Sequence, residues 1–154
     1  MLRRNVAFVV GLSALCFGCG SNAPTSPTSG AIFRQGTLVI PQTFTADLDE
    51  GVVVNNPLGP SDVWFEAATA TDWFFVSTGA RLAVVGTSAP GFSVCHNANL
   101  SSARIAMTTL TPGLYLCGKT DQGRFVEMRV VELPVKQPSG MDATLTLSFT
   151  TYMN

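Results

Sequence analysis

Cys95, His96 and Asn97 stand side by side, and thiol, imidazole and amide are the groups that thiol catalysis uses. Read as a strand, that stretch turns Cys95 and His96 to opposite faces, which misplaces them as nucleophile and base. Cys95 has a second use. Pro90-Gly91-Phe92-Ser93-Val94-Cys95 and Pro112-Gly113-Leu114-Tyr115-Leu116-Cys117 share one plan: Pro-Gly, three further residues, then Cys. Both sulfurs then lie at the same depth from a turn and on the same strand parity, and residues 104–108 supply a returning strand between them. The spacing predicts a Cys95–Cys117 disulfide, worth about 3 kcal/mol from loop closure. Such a bond consumes the nucleophile; the plainer alternative is a pair of buried thiols.

The carboxylates cluster once. Asp47-Leu48-Asp49-Glu50-Gly51 places three acids before a glycine, and calcium prefers gathered oxygen ligands. The calcium-loop pattern requires glycine at the sixth place and a distant closing Glu. Here glycine is fifth and no Glu follows at that distance, so the plain reading is an acidic β-turn. Asp62, Glu66 and Asp72 could join a site only through folding. Two carboxylates can also form a glycosidase pair, but nothing else points to a sugar cleft. The chain carries no Gly-x-Ser-x-Gly, no Gly-x-Gly-x-x-Gly and no phosphate loop, the motifs of serine hydrolases and nucleotide sites.

Trp64, Phe65, Trp73, Phe74 and Phe75 fall within twelve residues. Aromatic side chains fill cores or stack on sugars and partner proteins. Adjacent strand residues face opposite ways, so one of Trp64 and Phe65 meets solvent, a second sheet or a partner. The candidate ligand-binding set is Asp47, Asp49, Asp62 and Trp64. No catalytic residue, resident metal or cofactor is expected.

The elements that must position these residues read as β. Residues 143–152 alternate Leu145, Leu147 and Phe149 with Thr144, Thr146, Ser148 and Thr150, a period of two that sends the first set to the core. Residues 125–133 send Val126, Met128 and Val130 one way and Glu127 and Arg129 the other. Residues 43–48 alternate as well, with Phe44, Ala46 and Leu48 inward. Shorter strands are expected at 37–40, 52–55, 62–66, 73–77, 81–85, 92–95, 104–108 and 114–119. Turns at Asn56-Pro57, Gly59-Pro60, Ala89-Pro90-Gly91, Thr111-Pro112-Gly113, Asp121-Gln122-Gly123 and Pro138-Ser139-Gly140 separate them. The best helical candidate is the short stretch 100–103. Many short strands between frequent turns predict an all-β fold, an antiparallel sandwich or a small barrel.

The chain has 154 residues, 12% of them charged, with a formal net charge of −1. Nucleic acid is excluded as the main partner, because phosphate binding needs clustered positive charge. Two arginines follow the first two residues, and residues 6–17 are apolar apart from Ser13. That stretch is a charged and then apolar leader, too short to span a bilayer. Gly18-Cys19 directly behind it resembles the lipobox of bacterial lipoproteins. The family favours Leu three residues before the Cys; that position is Cys16 here. The resemblance implies cleavage before Cys19, which becomes a diacylated N-terminus. With Gly20 rather than Asp next, it also implies outer-membrane delivery in a Gram-negative cell. A plain secretory cleavage after Ala23 (Ser21-x-Ala23) is the alternative, and either places the mature chain outside the cytoplasm.

The expected organisation is therefore a signal peptide over 1–18, a lipid-anchor Cys and disordered linker over 19–34, and a β-sandwich-like domain over 35–153. Losing the leader's two arginines leaves seven Lys+Arg against ten Asp+Glu, a net charge of −3. The linker GSNAPTSPTSGA holds no large apolar side chain with which to order itself.

Phe44-Thr-Ala-Asp-Leu-Asp-Glu-Gly51, Asp62-Val-Trp-Phe-Glu66, Leu82-Ala-Val-Val-Gly86 and Tyr115 to Arg124, with the closing Leu145 to Tyr152, resemble a secreted bacterial β-module. It occurs in exported proteins and lipoproteins and carries no assigned activity. The resemblance covers most of residues 36–152, implies the fold and brings no functional residue with it. The expected function is a lipid-anchored, non-catalytic structural or binding module of the cell envelope, with an unknown protein or glycan as partner. The alternatives are a carbohydrate- or calcium-dependent binding protein using Asp47, Asp49, Asp62 and Trp64, or an envelope hydrolase that would hold His96 in a cleft beside a carboxylate.

Overall fold

A computed structural model of the chain describes residues 30–55, 59–135 and 143–154. The leader, Cys19, most of the linker and the turns at Asn56-Pro57 and Pro138-Ser139-Gly140 lie outside the described residues. Alternating apolar residues along several strands bury one face each, and two such faces close on one another. The first sheet runs in the order β1 (Ile32–Pro41), β10 (Thr144–Tyr152), β9 (Phe125–Glu132), β8 (Tyr115–Lys119), β6 (Arg81–Gly86). The second runs β3 (Val52–Val54), β2 (Thr45–Asp47), β4 (Val63–Ala67), β5 (Trp73–Ser77), β7 (Ile105–Ala106). Every pairing is antiparallel. The fold is an all-β sandwich.

Period two is kept across the ladders. Leu38, Leu147 and Val130 form one cross-strand row of the first sheet, and Leu116 pairs with Met128 in another. All are buried, together with Ile40, Val126, Leu145 and Phe149. Ala46, Val63, Phe65 and Phe75 face them from the second sheet, also buried. The three long strand readings hold in their inward sets, although Phe44 is only half-buried.

Residues 92–95 are not a strand. Gly91–Asn97 forms a short helix, α1. Alternation missed it because Phe92, Cys95 and His96 sit at i, i+3 and i+4, which a helix brings to one face. Phe92 packs edge-on against Phe125 and Tyr152, with ring centroids 5.8 and 5.7 Å away. The helix has no side-chain N-cap of its own. Instead the Gly91 N–H donates to the Glu127 carboxylate of β9 over 2.8 Å. That places a negative group at the positive end of the helix. So α1 lies on the outer face of the first sheet, over residues whose parity had marked them for solvent.

Other boundaries move as well. β1 opens at Ile32, taking in three residues assigned to the linker, with Ile32 paired to Tyr152. Residues 100–103 are not helical; Ser101 instead makes an isolated bridge to Leu82 at the edge of β6. The stretch 104–108 divides into β7 and a 3-10 turn, Met107–Thr109.

The Cys95–Cys117 disulfide is present, by a different route from the one expected. Cys95 lies on α1 and Cys117 on β8, and the intervening β7 belongs to the other sheet. Both sulfurs are fully buried, so the bond staples the helix to the sheet. Thiol titration of the denatured, unreduced domain lacking Cys16 and Cys19 is expected to find no reactive thiol, and two after reduction. Cys117→Ala is expected to lower unfolding free energy by about 3 kcal/mol in urea titrations.

Candidate functional site

The acidic turn is built by its first residue. Asp47 Oδ1 accepts the N–H groups of Asp49 and Glu50, at 2.9 and 2.8 Å, a side-chain mimic of a backbone turn. The chain then reverses at Gly51, whose φ of +66° favours glycine and whose added Cβ would stand 3.0 Å from Phe149. The first sheet grips this turn from outside. Thr151 Oγ1 donates to the Leu48 carbonyl over 2.7 Å. Arg124 Nη1 donates to Asp49 Oδ1 over 3.1 Å while its guanidinium lies 3.9 Å from the centre of the Phe33 ring.

Asp62, just ahead of β4, is fully buried. Its Oδ2 accepts the Leu48 N–H and its Oδ1 the Asp121 N–H, each over 2.8 Å. Its carbonyl receives the N–H groups of Thr78, Gly79 and Ala80. One residue thus joins the β2–β3 turn, the β5–β6 turn and the β8–β9 turn. Gly79 permits the approach, since a Cβ there would come within 2.8 Å of the Ser61 carbonyl oxygen and 2.9 Å of Asp121 Cβ. Folding therefore does what the sequence left open and brings Asp62 to the acidic turn. One carboxylate oxygen each from Asp47, Asp49 and Asp62 lies within 4.8 Å of the others. Glu66 and Asp72 do not join them; Glu66 pairs with Arg104 at 3.7 Å, and Asp72 accepts from Thr69.

Burial pushes the Asp62 carboxyl up to about 6, helped by the charges of Asp49 and Asp121 and opposed by its two backbone hydrogen bonds. The buried ionised form is disfavoured because protein replaces water around it.

Trp64 pairs with Thr45 and Val76 on the outer face of the second sheet, while Phe65 is fully buried on the inner face. Trp64 is half-buried, and its indole N–H has no hydrogen-bond partner among the described residues. Phe74 shares that outer face beneath Arg104, whose guanidinium is 4.1 Å from the ring centre. Trp73 is half-buried, edge-on to Phe65 at 6.0 Å.

His96 is exposed, with its ring 5.5 Å from Phe92 and 4.9 Å from Phe125. On the helix Cys95 and His96 do not point to opposite faces as they would on a strand, but the disulfide to Cys117 takes the sulfur. Sequence reasoning missed Arg124 and Glu127, whose partners are 75 and 36 residues away. Compared with known proteins, the chain matches no family model, no curated protein and no solved structure.

A carboxyl with a raised folded pKa binds its proton more tightly folded than unfolded. Its contribution to stability is present below the unfolded value of 3.8 and is lost as pH rises through about 6. Asp62→Asn cannot ionise. Urea titrations in metal-free buffer are expected to show the stability difference between variant and wild type moving in the variant's favour by roughly 2.4 kcal/mol from pH 4 to pH 7.

Proposed function

We propose that this chain is an exported, non-catalytic β-sandwich module of the cell envelope, anchored by acyl chains on Cys19 and offering the sandwich surface to a ligand or protein partner. The observation that carries the reading is the fully buried Cys95–Cys117 disulfide, since such bonds persist in oxidising compartments and are rare in the cytosol. The leader over 1–18 and the lipobox-like Gly18-Cys19 supply the matching route of export. Two acyl chains give stable membrane attachment where one does not. Among the described residues no helix is long and apolar enough to cross a membrane.

The residue types with catalytic potential are engaged otherwise. Cys95 is bonded to Cys117, and His96 packs against two phenyl rings. A partner surface has better material in the outer face of the second sheet. There Trp64, Phe74 and Val76 lie near Arg104, and aromatic residues with Arg are enriched at protein interfaces.

Metabolic labelling with radioactive palmitate, followed by cell fractionation, tests the anchor. Wild type is expected to carry label and sediment with membranes, and Cys19→Ala to carry none and be released. Unlabelled, full-length wild type in the cytosol would overturn the reading, as would undiminished labelling of Cys19→Ala.

A further inference from the structure

Asp49 is fully buried, and its two oxygens are treated unequally. Oδ1 is held by Arg124, whereas Oδ2 has no hydrogen-bond donor among the described residues. A buried acceptor left unmet costs at least about 1 kcal/mol, and more when it is charged. The surroundings compound the cost, because one carboxylate oxygen of each of Asp47, Asp49 and Asp62 lies within 4.8 Å of the other two. Of the three acids only Asp49 has an ion pair among the described residues, with Arg124, and like charges removed from water repel strongly. A hard cation would supply both the missing partner for Oδ2 and the missing positive charge.

We propose that this corner binds one divalent cation of the calcium class, held by Asp47, Asp49 and Asp62, with the unmet Oδ2 of Asp49 as its buried ligand. The spread of the three oxygens is one that Ca–O bonds of about 2.4 Å can bridge. An all-oxygen set suits calcium or magnesium better than zinc, whose sites favour nitrogen and sulfur donors. Magnesium demands near-octahedral geometry and sheds water reluctantly. The donors here come from three unlike places: the end of β2, the turn after it and the residue before β4. That irregularity suits calcium. Asp47 is only half-buried and leaves an approach from solvent. The backbone N–H groups on Asp47 Oδ1 and on both oxygens of Asp62 fix the carboxylates in place. Each Asp62 oxygen accepts one N–H and keeps a second lone pair for the metal, whereas Asp47 Oδ1 is filled by its two N–H groups and leaves Oδ2 as that residue's ligand. Water or backbone carbonyls complete the shell.

The proposal goes beyond the envelope reading and does not depend on the anchor. Isothermal titration calorimetry and thermal unfolding of the chelator-stripped protein, with calcium chloride and magnesium chloride as probes at neutral pH, test it. Wild type is expected to bind one calcium per chain and to gain roughly 5 °C or more in Tm at saturation. Magnesium is expected to bind about tenfold or more weakly. Asp47→Asn keeps the acceptor oxygen that builds the turn, so it is expected to fold and to lose about tenfold or more in calcium affinity. Asp49→Asn is expected to lose at least as much, and the exposed Glu132→Gln to bind like wild type. Folded wild type that shows neither binding heat nor a Tm shift overturns the proposal. Calcium binding undiminished in Asp47→Asn overturns it as well, since the ion would then sit elsewhere, and magnesium binding as tight as calcium overturns the choice of ion.

Discussion

The two sheets of this sandwich are tied at one buried carboxylate. Asp62 receives a backbone N–H from Leu48 beside β2 and another from Asp121 between β8 and β9, so its two oxygens reach both sheets. Its carbonyl closes the β5–β6 turn. Buried backbone donors must find partners, and an unmet one costs about 1–3 kcal/mol. Three loops that have no ladder of their own here converge on one residue that meets that need. The cost is electrostatic: an acid held among Asp49 and Asp121 and away from water is pushed toward its neutral form. The corner is therefore both a joint between the sheets and the place where the two buried acids among the described residues, Asp49 and Asp62, meet.

A second, smaller core lies on the opposite side of the first sheet. Helix α1 covers the outer face with Phe92, and Phe125 and Tyr152 pack against that ring. Burial and Glu127 push the Tyr152 hydroxyl up to about 12, while the same Glu127 receives the Gly91 N–H at the start of the helix. Seven residues are too few for a helix to persist alone. Here the disulfide, the ring cluster and the carboxylate supply what the helix lacks. The arrangement also explains why aromatic residues occupy positions of β9 and β10 that parity assigns to water.

These two devices leave much of the remaining surface free for recognition. The outer face of the second sheet carries Trp64 and Phe74, and the Glu66–Arg104 pair lies beside them. A rigid, stapled sandwich can hold such side chains in place with little entropy left to lose on binding. That property would serve the binding role proposed above.

The sequence alone determined which residues alternate, and so the strands 125–133 and 143–152, their inward sets and the all-β class. Alternation is a local property, set by side chains pointing to opposite faces of one backbone. It also paired Cys95 with Cys117, although through a strand that does not exist, because the Pro-Gly repeat marked equal depths without marking the helix. What only the tertiary structure decided are the contacts between residues far apart in the chain. Asp62 against Leu48 and Asp121, Arg124 against Asp49, and Glu127 against Gly91 depend on how the two sheets stack, which no spacing within a single strand encodes. The same holds for the solitary oxygen of Asp49: its isolation follows from burial, and burial belongs to the assembled sandwich.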